Sequence, residues 1–167
     1  AWGPTIAEAK AGTGPGNVTP DPTHPDQLFD NYERAYKTGT QFRNTINVTG
    51  GTETVRFYSS LSYFKQTGML DFTDYKNISA RVNTDIKISS KLKSSINFSY
   101  TNSGGYKYDA DRFGESLAYF SGRWDVRDYL NDDGTQKWRG TNNPIYGAAT
   151  NRLKDNVNRF VGGLSLG

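Results

Sequence analysis

From residue 40 onward the chain repeats with a period of two, and it holds that alternation over stretches of about ten residues, the ~9–11 a tilted strand needs to cross a hydrocarbon layer. Soluble strands more often run to roughly five or six. Over residues 41–48, Phe42, Asn44, Ile46 and Val48 fall on one side, and Gln41, Arg43, Thr45 and Asn47 on the other. In residues 55–63, Val55, Phe57, Leu61 and Tyr63 oppose Arg56, Tyr58, Ser60 and Ser62. Residues 77–88 sort most cleanly, with Ile78, Ala80, Val82, Ile86 and Ile88 against Asn77, Ser79, Arg81, Asn83, Asp85 and Lys87. The return over residues 92–100 sets Leu92, Ile96, Phe98 and Tyr100 against Lys93, Ser95, Asn97 and Ser99, with Ser94 a defect on the apolar side. Residues 158–166 bring Phe160, Leu164 and Leu166 opposite Arg159 and Ser165. A helix, whose period is 3.6, would not sort residues this way.

The connections alternate in length. Thr49-Gly50-Gly51-Thr52-Glu53 and Ser89-Ser90-Lys91 are tight, whereas residues 65–75 and 103–156 are long. Short periplasmic turns and extended outer loops are the pattern of an outer-membrane barrel. The expected fold is therefore all-β, an antiparallel transmembrane β-barrel segment with long extracellular loops. Residues 1–39 read as an extracellular loop with a short helix, 40–102 as two strand hairpins, 103–157 as a long extracellular loop, and 158–167 as the next barrel strand. Tyr63, Phe64, Tyr75 and Tyr100 fall near the loop-side ends, where an aromatic girdle meets the membrane interface. Arg43, Arg56, Arg81, Asp85, Lys87 and Lys93 share the polar side. Such charges are costly in lipid, so that side is expected to face a wet or plugged interior.

Composition supports this and excludes much else. Only 34% of residues are hydrophobic and the mean hydropathy is −0.75, whereas soluble domains are roughly 45–50% apolar with Gly included. A large two-sided core is not expected, and aromatics at 14% argue against disorder. No run approaches the ~18 apolar residues of a membrane helix, which leaves a closed barrel as the spanning structure. Lys and Arg number 20 against 17 Asp and Glu with no dense basic block, so no nucleic-acid surface is expected. The absence of cysteine removes disulfides and thiolate metal sites.

Catalytic chemistry is not expected either. With His24 as its one histidine, in a loop beside Pro25, the chain can build neither a His-dependent triad nor a zinc set, and no cofactor is anticipated. Gly12-Thr13-Gly14-Pro15-Gly16 lacks the Lys-Ser/Thr of a phosphate loop. Asp128, Asp132 and Asp133 miss EF-hand spacing and read as turn residues. The sequons at Asn17, Asn47, Asn77 and Asn97 follow from polar alternation.

Residues 1–25 read as loop. After them Leu28, Phe29, Tyr32 and Tyr36 recur at helical spacing, with Asp26 to cap the helix and Gly39 to stop it. Residues 103–156 carry turn chemistry in Gly104-Gly105, Asp132-Asp133-Gly134 and Asn142-Asn143-Pro144. A connection of that length is usually functional. Its Tyr106, Tyr108, Trp124, Tyr129 and Trp138, beside Arg123, Arg127 and Asp125, offer stacking surfaces and charge to a sugar or peptide. The same rings suit packing of the loop onto itself or onto a partner protein.

The order of these pieces resembles a known family. Trp2-Gly3-Pro4 and a Pro-rich loop precede an aromatic and Thr38-Gly39. Then come Asn44, Val48-Thr49-Gly50-Gly51-Thr52-Glu53, Phe57-Tyr58, Ser60-Leu61-Ser62-Tyr63 and Gln66-Thr67-Gly68. Downstream follow the strand from Leu92 to Tyr100, Asp133-Gly134, Asn143-Pro144 and Asn158-Arg159-Phe160. This resembles the early barrel of SusC/RagA-type TonB-dependent transporters, and the likeness runs over nearly the whole chain. The resemblance implies a bacterial outer-membrane barrel of about twenty-two strands with an N-terminal plug. It also implies energisation by TonB through that N-terminal part, and a SusD-like surface lipoprotein that helps capture glycans or peptides. Five strands cannot close a barrel when natural ones start at about eight, so the chain is expected to be a piece of a larger wall surrounded by outer-membrane lipid. Two other readings stay open. One is a non-transporting structural, adhesive or secretion-associated barrel, and the other is a soluble β-sandwich binding module.

Overall fold

A computed structural model describes residues 4–15 and 18–167. Trp2 and Gly3 of the opening motif, Gly16 of the glycine-rich loop and the Asn17 sequon lie outside the described residues. The chain forms two compact units: a sheet unit of residues 39–68, 73–107 and 153–167, and a helical unit of residues 1–38, 69–72 and 108–152.

The sheet unit is an antiparallel meander of β1 (Gln41–Gly51), β2 (Val55–Thr67), β3 (Asp74–Lys87), β4 (Lys93–Lys107) and β5 (Leu153–Leu166), in which each strand pairs with its neighbour in sequence. The sheet is open, with β1 and β5 each bonded on one side only. Its register decides whether the alternation of separate strands adds up. A slip of one residue anywhere would send a strand's apolar set to the opposite face. No slip occurs. Ile46 pairs with Leu61, Leu61 with Ala80, Ala80 with Tyr100 and Tyr100 with Phe160; one level nearer the tight turns, Val82 sits between Ser59 and Phe98. One face therefore stacks apolar rows from Val55–Ile86–Ser94–Leu166 at the tight-turn end to Tyr63–Ile78 near the other. At ~4.8 Å between strands and ~3.3 Å per residue this band covers roughly 600 Å², more than the few hundred Å² a soluble monomer leaves bare.

Among the described residues this band stays exposed. Ile46 is 65% exposed, Leu61 53% and Phe160 69%, and among the described strand residues Ser94 alone is buried. The opposite face carries hydroxyls and amides, with Arg43, Arg56, Arg81, Asp85, Lys87 and Lys93 among them. Two girdle aromatics fall on this polar face. Phe64 pairs with Arg43, whose guanidinium lies 4.9 Å over its ring, and packs at 6.1 Å against Tyr75, while Tyr63 and Tyr100 point to the apolar side. Adjacent residues cannot share a face, so Tyr63 and Phe64 had to part.

The strands also run further than the apolar alternation did. β2 extends to Thr67, β4 through Gly104-Gly105 to Lys107, and β5 starts at Leu153, so the expected loop at 103–157 loses both its ends to the sheet. Gly104-Gly105 is strand rather than turn. A Cβ on Gly105 would collide with the Asp74 backbone, and one on Gly104 with the Asp155 backbone. Close approach of neighbouring chains is what glycine allows here.

The helical unit replaces the expected turns with structure. Residues 1–25, read as loop, contain α1 (Ile6–Ala11), closed by a Thr5/Glu8 capping box and by Gly12 at φ 67°. The expected helix after Asp26 is shorter, α2 (Asn31–Ala35), capped by Asp30 and ended at Tyr36 in extended geometry. Within the long connection lie α3 (Ala110–Tyr119), capped by Asp109, and α4 (Pro144–Thr150), capped by Asn143 with Pro144 in its first turn. Phe113 and Leu117 of α3, Ile145 and Ala148 of α4, Ala35, Phe120 and Val126 form one buried cluster. Two asparagines knit it. The Asn31 side chain donates to the Ser121 and Trp124 carbonyls at 3.1 and 3.0 Å and accepts from the Val126 amide at 3.0 Å. Asn143 donates to the Val126 carbonyl at 2.7 Å while capping Ile145 at 2.8 Å. Buried amides satisfied in this way fix the path of a segment that has no ladder of its own.

Candidate functional site

The predicted ligand residues separate once folded. Tyr106 is not in a loop: it belongs to β4, where its amide donates to Asp74 at 2.7 Å and Lys154 lies 5.7 Å from its ring. Tyr108 and Tyr129 pack against the buried cluster, which takes most of their ring surface out of play as stacking platforms. Arg127 is committed to the unit's own framework, donating to the Arg34 carbonyl at 2.7 Å and pairing with Asp71 at 3.0 Å. Asp125 accepts two bonds from Arg34, at 2.9 and 2.6 Å. Trp138 stands apart and exposed.

Arg123 and Trp124 do come together, in a groove of about 310 Å³ within the helical unit. One wall is Asp21, Thr23, His24, Gln27 and Phe29; the other is Arg123, Trp124, Asp125, Asp128 and Arg139. The Phe29 amide donates to the Gly122 carbonyl at 2.7 Å, which holds the first wall against the second. Two guanidinium groups lie over the Trp124 ring, Arg123 at 4.7 Å and Arg139 at 4.1 Å, so the ring already serves cations as a partner. Each of these arginines has a buried Nε with no acceptor. Arg139 also meets Asp128 at 3.4 Å, and Arg123 donates to Thr19 at 3.3 Å. Bonds from the Thr23 amide and hydroxyl, with Arg123 and Arg139 nearby, hold Asp21 below the usual carboxylate range. The groove thus sets two guanidinium groups, stacked on Trp124, beside fixed carboxylates, which suits a polar ligand with acceptor oxygens.

Sequence reading missed Arg139, Asp21 and Phe29. The Trp138-Arg139 pair was a signal within reach, but Asp21 and Phe29 are about a hundred residues away along the chain, and no spacing rule connects them. His24 lies in the groove wall as an exposed imidazole, its Nδ1 3.0 Å from the Thr23 hydroxyl. A second hollow, about 370 Å³, sits on the sheet unit near the tight turns, lined by Glu53, Arg56, Asp85, Lys87 and Lys93. Its charges nearly balance, and Ser95 donates to Asp85 at 2.6 Å.

No protein-family model matches the chain. Over 57 residues it is 39% identical to TonB-dependent receptor P26 of Formosa agariphila. The chain is similar to a TonB-dependent receptor. That stretch is 33% of the chain and 6% of the receptor, so the likeness spans a small part of a far larger protein. An all-β wall of five antiparallel strands is consistent with a segment of such a receptor's barrel. This partial likeness is to a TonB-dependent receptor and carries no SusC/RagA subtype with it.

Proposed function

We propose that this chain is part of the wall and outer loops of a TonB-dependent outer-membrane transporter of SusC/RagA type. In this reading it imports glycans or peptides together with a SusD-like surface lipoprotein. The observation that carries the reading is the register: strands of 11 to 15 residues bring every apolar set to one uncovered face and the charges beside those rows to the other, with Lys65, Asp74, Lys76 and Lys154 reaching the apolar face only beyond the last apolar row. An aqueous environment penalises such a face, while a bilayer rewards it. The apolar face then meets lipid, the polar face lines the interior, and the helical unit lies outside the cell.

Cargo contacts fall in the groove, where the guanidinium groups of Arg123 and Arg139 meet hydroxyl or carboxylate oxygens beside the Trp124 ring; Trp138 offers an exposed ring apart from it. Tyr108, Tyr129 and Arg127 serve as framework of the helical unit, and Tyr106 belongs to the sheet unit. The test uses the full-length gene product in its native host. Detergent-dependent extraction from the outer membrane, heat-modifiable gel mobility and co-purification of a surface lipoprotein are expected. Release into buffer without detergent would sink the barrel, and a folded barrel whose deletion leaves uptake of every glycan and peptide unchanged would sink transport.

A further inference from the structure

The polar face of the sheet carries its charges unevenly. Reading its rows from the long-connection end, Arg43 pairs with Phe64, Arg159 with Thr101, Arg81 lies between Ser60 and Ser99, Arg56 faces Asp85, and Lys87 faces Lys93. Cations thus stand in five of six successive rows, the row of Asn83 and Asn97 being the gap. Of the two acids that the strands place on this face, Asp155 at the outer end is paired with Lys107. The other, Asp85, sits near the tight turns, where Ser95 donates to it at 2.6 Å. Between them lie Arg43, Arg81 and Arg159, none of which forms an ion pair among the described residues. The Arg43 guanidinium rests on the Phe64 ring at 4.9 Å. Lys87 and Lys93, as direct cross-strand partners of like charge, repel. Beside Arg81, Gly163 contributes no side chain, and a Cβ there would meet no atom within 4 Å. A hollow of about 320 Å³ opens at this point, lined by Arg81, Asn83, Asn97 and Ser99 and by no acid.

We infer that this face is a contact strip for anionic cargo, an oligomer bearing carboxylate or sulfate groups that is handed from one cation to the next. The inference rests on the transport reading above, which turns this face to the interior. A fixed cation with no acid beside it draws anions from water, and a low-dielectric wall concentrates its field. Guanidinium groups grip a carboxylate or sulfate at two points. The amides of Asn83 and Asn97 and the Ser99 hydroxyl then suit the hydroxyl or amide groups next to that charge. Rows lie about 6.6 Å apart, so an anion leaving one cation finds the next within a short step. Passage needs contacts favourable enough to admit the solute and weak enough to release it, which exposed cations repeated along a path supply. A stationary acidic segment of protein would instead call for cations gathered at one level.

The test uses the native host with the full-length gene intact, deleted, or replaced by variants present at equal surface level. Oligosaccharides and peptides from its growth medium are separated by ion exchange into anionic, neutral and cationic fractions, and their depletion by cells is followed by mass spectrometry. The expected result is that deletion stops uptake of members of the anionic fraction alone, glycan or peptide as the masses then show. R43Q/R81Q/R159Q should slow that uptake at least about tenfold, the lower end of what a one-signed cleft adds to encounter rates. K65Q/K76Q/K154Q, which removes as many charges from the opposite face, should leave it unchanged. Loss confined to neutral or cationic members, equal slowing in both triple variants, or an unslowed arginine variant would each overturn the strip. So would an arginine variant that admits vancomycin and takes up every fraction faster, because the three arginines would then be holding an internal segment of protein in place. Failure of the transport reading looks different: deletion then spares all three fractions.

Discussion

Val82→Arg probes the environment of the apolar face directly. Val82 lies on the central strand β3, two rows from the Val55–Ile86 level and two from the Tyr63–Ile78 level. At ~3.3 Å per residue and a strand tilt of ~40°, each limit is about 10 Å away along the membrane normal, near the middle of the band. An arginine at that depth costs roughly 2–4 kcal/mol, which at ~1.4 kcal/mol per decade is about a 30- to 1,000-fold loss in the folding equilibrium. Its neighbour is the control. Asn83 faces the polar side between Tyr58 and Asn97, where the chain already carries Arg81, so Asn83→Arg should stay within ~0.5 kcal/mol. Urea titration of the full-length protein refolding into phosphatidylcholine vesicles, with the folded fraction taken from heat-modifiable mobility, gives both values. Equal costs for the two variants, or a negligible cost for Val82→Arg, would refute the sidedness on which the functional reading depends.

Other outcomes follow from the helical unit. Asn143→Ala removes a helix cap and strands the Val126 carbonyl, so the unit should lose about 2–4 kcal/mol, seen as faster amide exchange across residues 110–150 with the strands still protected. Burial pushes the Asp71 and Asp125 carboxyls up, but the bonds from Lys37 and Arg127 to Asp71, and from Arg34 and the Arg127 amide to Asp125, outweigh it and hold both below the usual range. A lowered carboxylate stabilises fully above its unfolded value of ~3.9 and loses that contribution as pH falls through the folded value. Limited proteolysis of the helical unit should therefore be flat between pH 7 and pH 5 and quicken below about pH 4. Asp71→Asn/Asp125→Asn should be labile throughout. Arg123→Gln/Arg139→Gln should weaken cargo binding by about tenfold with the barrel still folded, measured by calorimetry on the purified protein.

The sheet was legible because apolar–polar alternation is a local signal: the predicted apolar residues that fall in strands, from Phe42-Ile46-Val48 to Phe160-Leu164-Leu166, lie on one face, while Ile88 and Leu92 fall in the turn between β3 and β4. Where strands leave the apolar band the signal stops, since neither face beyond it is built of apolar residues. Residues 103–107 and 153–157 accordingly read as loop in the sequence and are strand in the structure. The helices left clues in Thr5-x-x-Glu8, in Asp109 before Phe113 and Leu117, and in Asn143-Pro144, but short helices flanked by glycines read equally well as turns. The Asn31 hub could not be anticipated. Its partners lie some 90 residues downstream, and one asparagine carries no mark of a distant one.

The unmatched margins of β1 and β5 govern how such a wall is made. In hydrocarbon each would leave its outward amide and carbonyl groups, about half of those it has, without a partner, at several kcal/mol apiece, so the total would run to tens of kcal/mol. No stage of assembly can therefore park these five strands alone among acyl chains. In the proposed barrel, insertion has to be concerted with flanking strands or sheltered by machinery that lends its own edge, and a defect in the seam is expected to show up as missing protein in the membrane rather than as slower transport.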